Sequence, residues 1–292
     1  MKKGLKIVVL AKQVPDTRNV GKDAMKEDGT INRAVLPAIF NPEDLNALEQ
    51  ALLLKDKFEG STVEILTMGP GRAAEIIREG LFRGTDGGVL LSDRKFAGSD
   101  TLATSYALSC AVKNMNPDII FAGRQAIDGD TAQVGPQVAE KLGWPQVTYA
   151  EQVTECDGEQ IVIKRRLEHG TELVSCPLPL VVTVNGSADE CRPRQAKLVM
   201  KYKNARTTNE IQEAGEDYYA DIRASRPYLN INEWSTANVE TEEQQLGLTG
   251  SPTKVKKVDN IVFQAKEVLH LSSTDEDIDK LMKELISSHT LG

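Results

Sequence analysis

Between Lys6 and Leu142 the sequence switches repeatedly between two hydrophobic periods, and this alternation limits the fold more than any other feature. Lys6–Ala11 (KIVVLA), Val63–Thr67, Gly88–Leu91 and Asp118–Ala122 are short apolar or β-branched runs, the mark of strands buried on both faces. Helical patterns lie between them. Asn41-Pro42-Glu43-Asp44 opens one, with Asn41 placed to cap it, Pro42 at the first helical position and two acids at the positive end of the helix dipole. Leu45, Leu48, Ala51, Leu52 and Lys55 follow at helical spacing. Arg72–Arg83, Ser99–Lys113 and Thr131–Leu142 read as further helices. Strands alternating with helices of this length predict an α/β fold, a parallel sheet with helices on both faces. Such sheets bind ligands beyond the carboxyl ends of their strands, which singles out the loops after Ala11, Thr67, Leu91 and Ala122.

After Trp144 the pattern changes to short strands, Thr148–Thr154, Gln160–Arg166, Glu172–Val174 and Leu178–Val184. Turn signals at Asp157-Gly158 and His169-Gly170 predict an antiparallel meander that extends the sheet. From Asn204 the chain reads as polar and poor in core residues, with an extended stretch at Gly247–Lys254 and a final amphipathic helix at Asp275–Ser287. The expected organisation is a domain over residues 1–203 and a C-terminal arm with a terminal helix over 204–292. Ile278, Leu281, Met282 and Leu285 share one face of that helix, which suits docking on a partner; folding back on its own domain is the alternative.

Length and charge narrow the function. A chain of 292 residues can bury a large core without disulfide or metal staples. Its net charge of −8 disfavours nucleic acid as a ligand. No run of about 20 apolar residues is present to span a membrane, and the apolar start Ile7–Ala11 is too short for a signal peptide. Cys110, Cys156, Cys176 and Cys191 are scattered without a CxxC pair, which suggests reduced thiols in a cytoplasm and no metal site.

The most informative segment runs from Gly123 to Pro136 (GRQAIDGDTAQVGP), between a buried strand and a helix. Gly123, Gly129 and Gly135 would let backbone approach a ligand, and Thr131 is placed to cap the helix whose free N–H groups face outward. Arg124 suits a phosphate, and Asp128 or Asp130 a ribose hydroxyl. An ordinary βα turn reads equally well here, and the pattern is neither GxGxxG nor GxxxxGK[ST]. Lys12-Gln13-Val14-Pro15-Asp16-Thr17 and Thr67-Met68-Gly69-Pro70-Gly71 are second and third candidates at strand ends, the latter open enough for an adenine. Catalytic patterns are missing: His169, His270 and His289 read as surface residues, and no HExxH, GxSxG or paired-carboxylate motif occurs. Chemistry therefore falls to a bound cofactor.

With these segments in view, the sequence resembles the β subunits of electron-transferring flavoproteins. Ile7–Asp16 looks like the family's first strand and loop, and Ile163, Arg165, Glu168, Gly170, Glu172, Leu173 and Pro179–Thr183 fall at the spacings of its signature, with His169 as a departure. The resemblance implies an adenine-nucleotide alpha-hydrolase-like fold. It also implies nucleotide contact from Leu10, Ala11, Lys12, Val14, Asn41, Met68, Gly69, Gly123, Arg124, Gln125, Asp128, Gly129, Asp130, Thr131, Ala132, Gln133, Val134, Gly135 and Pro136. It further implies an α-subunit partner that carries FAD, with AMP or a second FAD in the β site. Asp128–Pro136, Lys12–Thr17 and Phe96–Thr101 look closer to members that bifurcate electrons. Such members take hydride from NADH at the β-bound FAD, then send one electron to ferredoxin and one, through the α-bound FAD, to an acyl-CoA dehydrogenase-type protein. A simple carrier with AMP and a non-redox adenine-nucleotide module are the competing readings. A ligase or pyrophosphatase would need a Ser/Gly-rich loop where Lys12–Asp16 stands. The family's partner-recognition leucine aligns with Ala196, with Leu198 two residues on.

Overall fold

In a computed structural model, structure is described for residues 4–16, 36–214, 220–253, 268 and 270–291. Thr17 and Lys254, named above, lie outside them.

The apolar runs form a nine-stranded sheet. It comprises β1 (Lys6–Leu10), β4 (Thr62–Met68), β5 (Gly87–Leu91), β6 (Ile119–Gly123), β7 (Gln146–Cys156), β8 (Gln160–Leu167), β9 (Gly170–Pro177), β10 (Leu180–Val184) and β11 (Asn232–Trp234). A separate hairpin joins β2 (Gln13–Pro15) to β3 (Ala38–Phe40). The large sheet has the order β11-β5-β4-β1-β6-β10-β7-β8-β9. Pairing is parallel from β11 to β7 and antiparallel from β7 to β9. The predicted α/β parallel sheet with an antiparallel extension is therefore observed.

Helices cover both faces, and alternation along the strands explains why. On β1, Ile7 and Val9 point into one cluster with Leu48 and Leu52 of α1 (Pro42–Lys57) and Ile76 and Ile77 of α2 (Ala74–Leu81). Val8 and Leu10 point into the other, with Ala107 and Ala111 of α3 (Thr101–Met115) and Val138 and Ala139 of α4 (Val134–Leu142). Burying such side chains contributes about 1.5–3 kcal/mol each before chain entropy is charged against it. β1 accordingly has every residue after Lys6 buried.

Two expectations need correction. Leu178–Val184 was expected in the antiparallel meander. β10 instead lies between β6 and β7 and runs parallel to both, because its five consecutive buried residues suit a strand covered on both faces. Residues after Asn204 were expected to be poor in core. Ala205, Leu229, Ile231, Val239 and Leu246 are buried, and β11 adds to the sheet edge beside β5. Three short helices were missed by the periodicity: α5 (Ala196–Tyr202), just before Asn204, and α6 (Thr208–Ala214) and α7 (Ala220–Ser225) after it. The terminal helix α8 (Asp275–Ser287) has the predicted bounds and buries none of its residues. Among the described residues, no helix is long and apolar enough to cross a membrane.

Candidate functional site

From β1 the chain builds outward in one direction to β4 and β5, and in the other to β6 and β10. Adjacent strands β1 and β6 thus form a switch point, where loops leaving two neighbouring carboxyl ends diverge and open a crevice. The first two sequence candidates, Lys12–Asp16 and Gly123–Pro136, are the loops on either side of it. They touch across it: Lys12 Nζ donates to Asp128 Oδ1 at 2.7 Å.

The N-terminus of α1 organises these loops. Asn41 is fully buried but makes no capping bond. Its amide instead donates to the Gln125 carbonyl at 2.9 Å and its Oδ1 accepts from the Ile127 amide at 3.1 Å. Glu43 Oε2 accepts from the Gln125 amide at 2.8 Å. Asp44 Oδ2 accepts from the Lys12 amide at 2.8 Å and Oδ1 from the Gly123 amide at 3.0 Å. Burial pushes the Asp44 carboxyl up to about 7, and the bonds from Asn41, Lys12 and Gly123 oppose that only in part. The sequence showed Glu43 and Asp44 only as dipole partners; their reach to residues 79 and 82 positions away leaves no local signal.

The amides of Gly123, Gln125 and Ile127 are thus used internally. Thr131 was expected to cap α4, but the helix starts at Val134 behind Gln133, with no side-chain cap. In the first turn of α4, Val134 and Gly135 carry N–H groups that a helix start leaves without an intrahelical partner, Pro136 has none, and the Gln137 amide donates to the Gln133 carbonyl at 3.0 Å. Asp130 and Ala132 take positive φ values of 50° and 52°, an uncommon conformation for residues with a Cβ. The Gln125 side-chain amide steadies Asp130 at 2.9 Å, and Gln133 Oε1 accepts from Thr101 Oγ1 at 2.9 Å.

Each glycine has its own reason. A Cβ on Gly123 would stand 2.4 Å from Asp44 Oδ1, and one on Gly135 would stand 2.5 Å from Thr183 Cγ2. Clamp geometry and helix–sheet packing, respectively, account for them. Gly129 faces open space and is exposed. Arg124 lies with its guanidinium carbon 5.7 Å from the Tyr149 ring centre and Nη2 3.2 Å from Glu43 Oε1. Its Nε is buried without a hydrogen-bond partner. Tyr149, missed in the sequence, is 41% exposed at a β7 irregularity with φ of 58°. Leu10, Ala11 and Val14 are buried, so contact from them would be through backbone. Pro136 is half-buried in the first turn of α4. Met68 and Gly69 lie at the end of β4, where the Gly69 amide donates to Leu91 at 3.1 Å and Gln13 Nε2 reaches the Arg72 carbonyl at 3.2 Å. The third loop therefore adjoins the first. All three histidines are exposed. Among the described residues, no group of three His, Cys, Asp or Glu side chains could hold a metal.

The crevice thus gathers the start of α4, two cations, one of them with an unused N–H, and an open glycine. Fold and loops define a doubly wound α/β protein with a crevice at the β1–β6 switch point. The chain matches the electron transfer flavoprotein domain over residues 28–214. It is 41% identical over 280 residues to the electron transfer flavoprotein subunit beta of Clostridium acetobutylicum, covering 96% of this chain and 94% of that one. It is 40% identical over 291 residues to the acryloyl-CoA reductase electron transfer subunit gamma of Anaerotignum propionicum, covering 98% and 100%. A third similarity, 47% over 180 residues, is to the caffeyl-CoA reductase-Etf complex subunit CarD of Acetobacterium woodii, covering 61% and 68%. The chain belongs to the electron transfer flavoprotein family, with its beta subunits.

Proposed function

We propose that this chain pairs with an α subunit and holds FAD at the β1–β6 switch point, where NADH delivers hydride. In this reading one electron then leaves to ferredoxin, and the other passes through the α-subunit FAD to an acyl-CoA dehydrogenase-type protein. The reading is supported chiefly by one observation. α1 takes up the inner amides of the Gly123–Gln133 loop through Asn41 and Glu43, while the start of α4 that follows the loop has no side-chain cap.

When bound, FAD supplies a two-electron hydride acceptor that can pass electrons on singly. The chain's residues bind and orient. The Val134 and Gly135 amides at the start of α4 would hold the diphosphate, and Lys12 and Arg124 would offset its charge. Asp128 and Asp130 would accept from ribose hydroxyls, Met68-Gly69 would take the adenine, and the Lys12–Asp16 loop would wall the ring. No side chain of the site is assigned a proton transfer. The names of the relatives from Anaerotignum and Acetobacterium, a reductase electron transfer subunit and a reductase-Etf complex subunit, favour an acyl-CoA partner. A cytoplasmic location fits the scattered thiols.

Cofactor content of the purified heterodimer tests this directly. Two FAD per pair supports the proposal, whereas one FAD and one AMP makes the chain a simple carrier. Asp128→Ala and Thr131→Ala should each lower β-site nucleotide and leave α-site FAD bound. Unchanged β-site content in both variants would remove these residues from the site.

A further inference from the structure

Two loops from opposite sides of the switch point end on one carboxylate. Asp44 Oδ2 takes the Lys12 amide at 2.8 Å, and Oδ1 takes the Gly123 amide at 3.0 Å. The partners lie 32 and 79 positions away, so no local turn holds them there. Each oxygen is committed to a different loop. The Lys12 amide fixes the residue whose Nζ bridges the crevice to Asp128, and the Gly123 amide fixes the root of the loop leading to α4.

We propose that Asp44 is a positioning residue, a clamp that sets the spacing of the two switch-point loops and through it the affinity for a nucleotide's phosphates. This rests on the nucleotide reading above and deepens it. The clamp needs an acceptor on each oxygen and no donor, which only the carboxylate form offers. A proton on Asp44 turns one oxygen into an O–H donor facing an N–H donor, and one loop loses its anchor. Burial places this proton equilibrium at about 7, within the neutral range.

The charges facing Asp44 are few. From the β1 loop comes Lys12, whose ammonium is drawn away to Asp128. From the β6 loop comes Arg124, which pairs with Glu43 next to Asp44 on α1. Asn41 contributes a neutral hydrogen bond. None of these supplies a direct counter-ion to Asp44, so its charge is held chiefly by the two loop amides.

The test uses the purified heterodimer with AMP and FAD as probes. Between about pH 8 and pH 6 the ionised share of a group titrating near 7 falls about tenfold, and affinity for the probe should fall by about the same factor. Asp44→Asn presents a fixed NH2 donor in place of one oxygen, so its affinity should be weak and flat with pH. A variant with wild-type affinity and the wild-type pH profile overturns the clamp. Hydrogen exchange of the wild-type protein, corrected for intrinsic rates, needs no variant. Protection at the Lys12 and Gly123 amides should drop together below pH 7, and protection constant from pH 6 to 8 overturns the proposal. Absence of AMP and FAD binding at every pH would instead overturn the nucleotide reading, with the exchange result still deciding the clamp.

Discussion

Arg192 grips Glu49 of α1 in two ways: Nη2 and Nε lie 2.9 and 3.0 Å from its carboxylate, and the Arg192 amide donates to Glu49 Oε2 at 2.8 Å. Nη1 adds Asp56 at 2.9 Å. The segment leading into α5 is thereby stapled to α1 across 143 positions. Arg192→Ala leaves Glu49, only 9% exposed, with a desolvated charge. A loss of about 2–3 kcal/mol in urea unfolding is expected, below the ~3–5 for a fully buried pair because Arg192 keeps some contact with water. Glu49→Gln with Arg192→Ala should lose less than the sum of the two single changes.

Gly135 and Thr183 make a sharper packing test. Ala is favoured over Gly in a helix by about 1 kcal/mol. At Gly135, however, the new Cβ would stand 2.5 Å from Thr183 Cγ2, and overpacking costs about 1–3 kcal/mol. Gly135→Ala should therefore destabilise the wild type, and should become neutral or stabilising in a Thr183→Ser background, which lacks that methyl. Thermal melts of the four proteins decide it.

Asp44 links pH to stability with a definite sign. Its carboxyl titrates near 7 in the fold and near 3.8 when exposed, so the folded state holds more protons in between. The contribution is full below about pH 4 and is lost as pH rises through 7. Urea midpoints measured between pH 4 and 8 should carry this downward slope in the wild type and lose it in Asp44→Asn. The fold thus prefers the protonated group and the proposed clamp the ionised one.

Helix α8 exposes Ile278, Leu281, Met282 and Ile286, each at least 41% exposed. Leu281→Asp with Met282→Asp should leave the melting temperature of the isolated chain within about 1 °C, since nothing is unpacked. If the helix docks on the α subunit, as its unpacked apolar face suits, the same pair should weaken subunit association at least tenfold in a titration.

What was legible in the sequence followed distance along the chain. The runs that became β1, β4, β5 and β6 were visible because burial on both faces writes itself into consecutive residues, as did the amphipathic period of α8. Residues whose partners are remote were misread. Asn41 resembles a cap, but its side chain serves a loop 84 and 86 positions away. Gly135 resembles a ligand-approach glycine, but Thr183 sets it. β11 is three residues long with none fully buried, so it carries no strand signal and exists because β5 offers an edge.

That late strand bears on how the protein is made. β5 ends at Leu91 and its neighbour β11 begins at Asn232, so 140 residues separate the two. A chain emerging from the ribosome shows the outer side of β5 as a bare row of amides and carbonyls while those residues are made. That row is a site at which a second nascent copy can pair, and it is sealed only when Asn232–Trp234 arrives. Truncation between Val184 and Asn232 should therefore yield aggregates, even though every other strand of the sheet has already been translated.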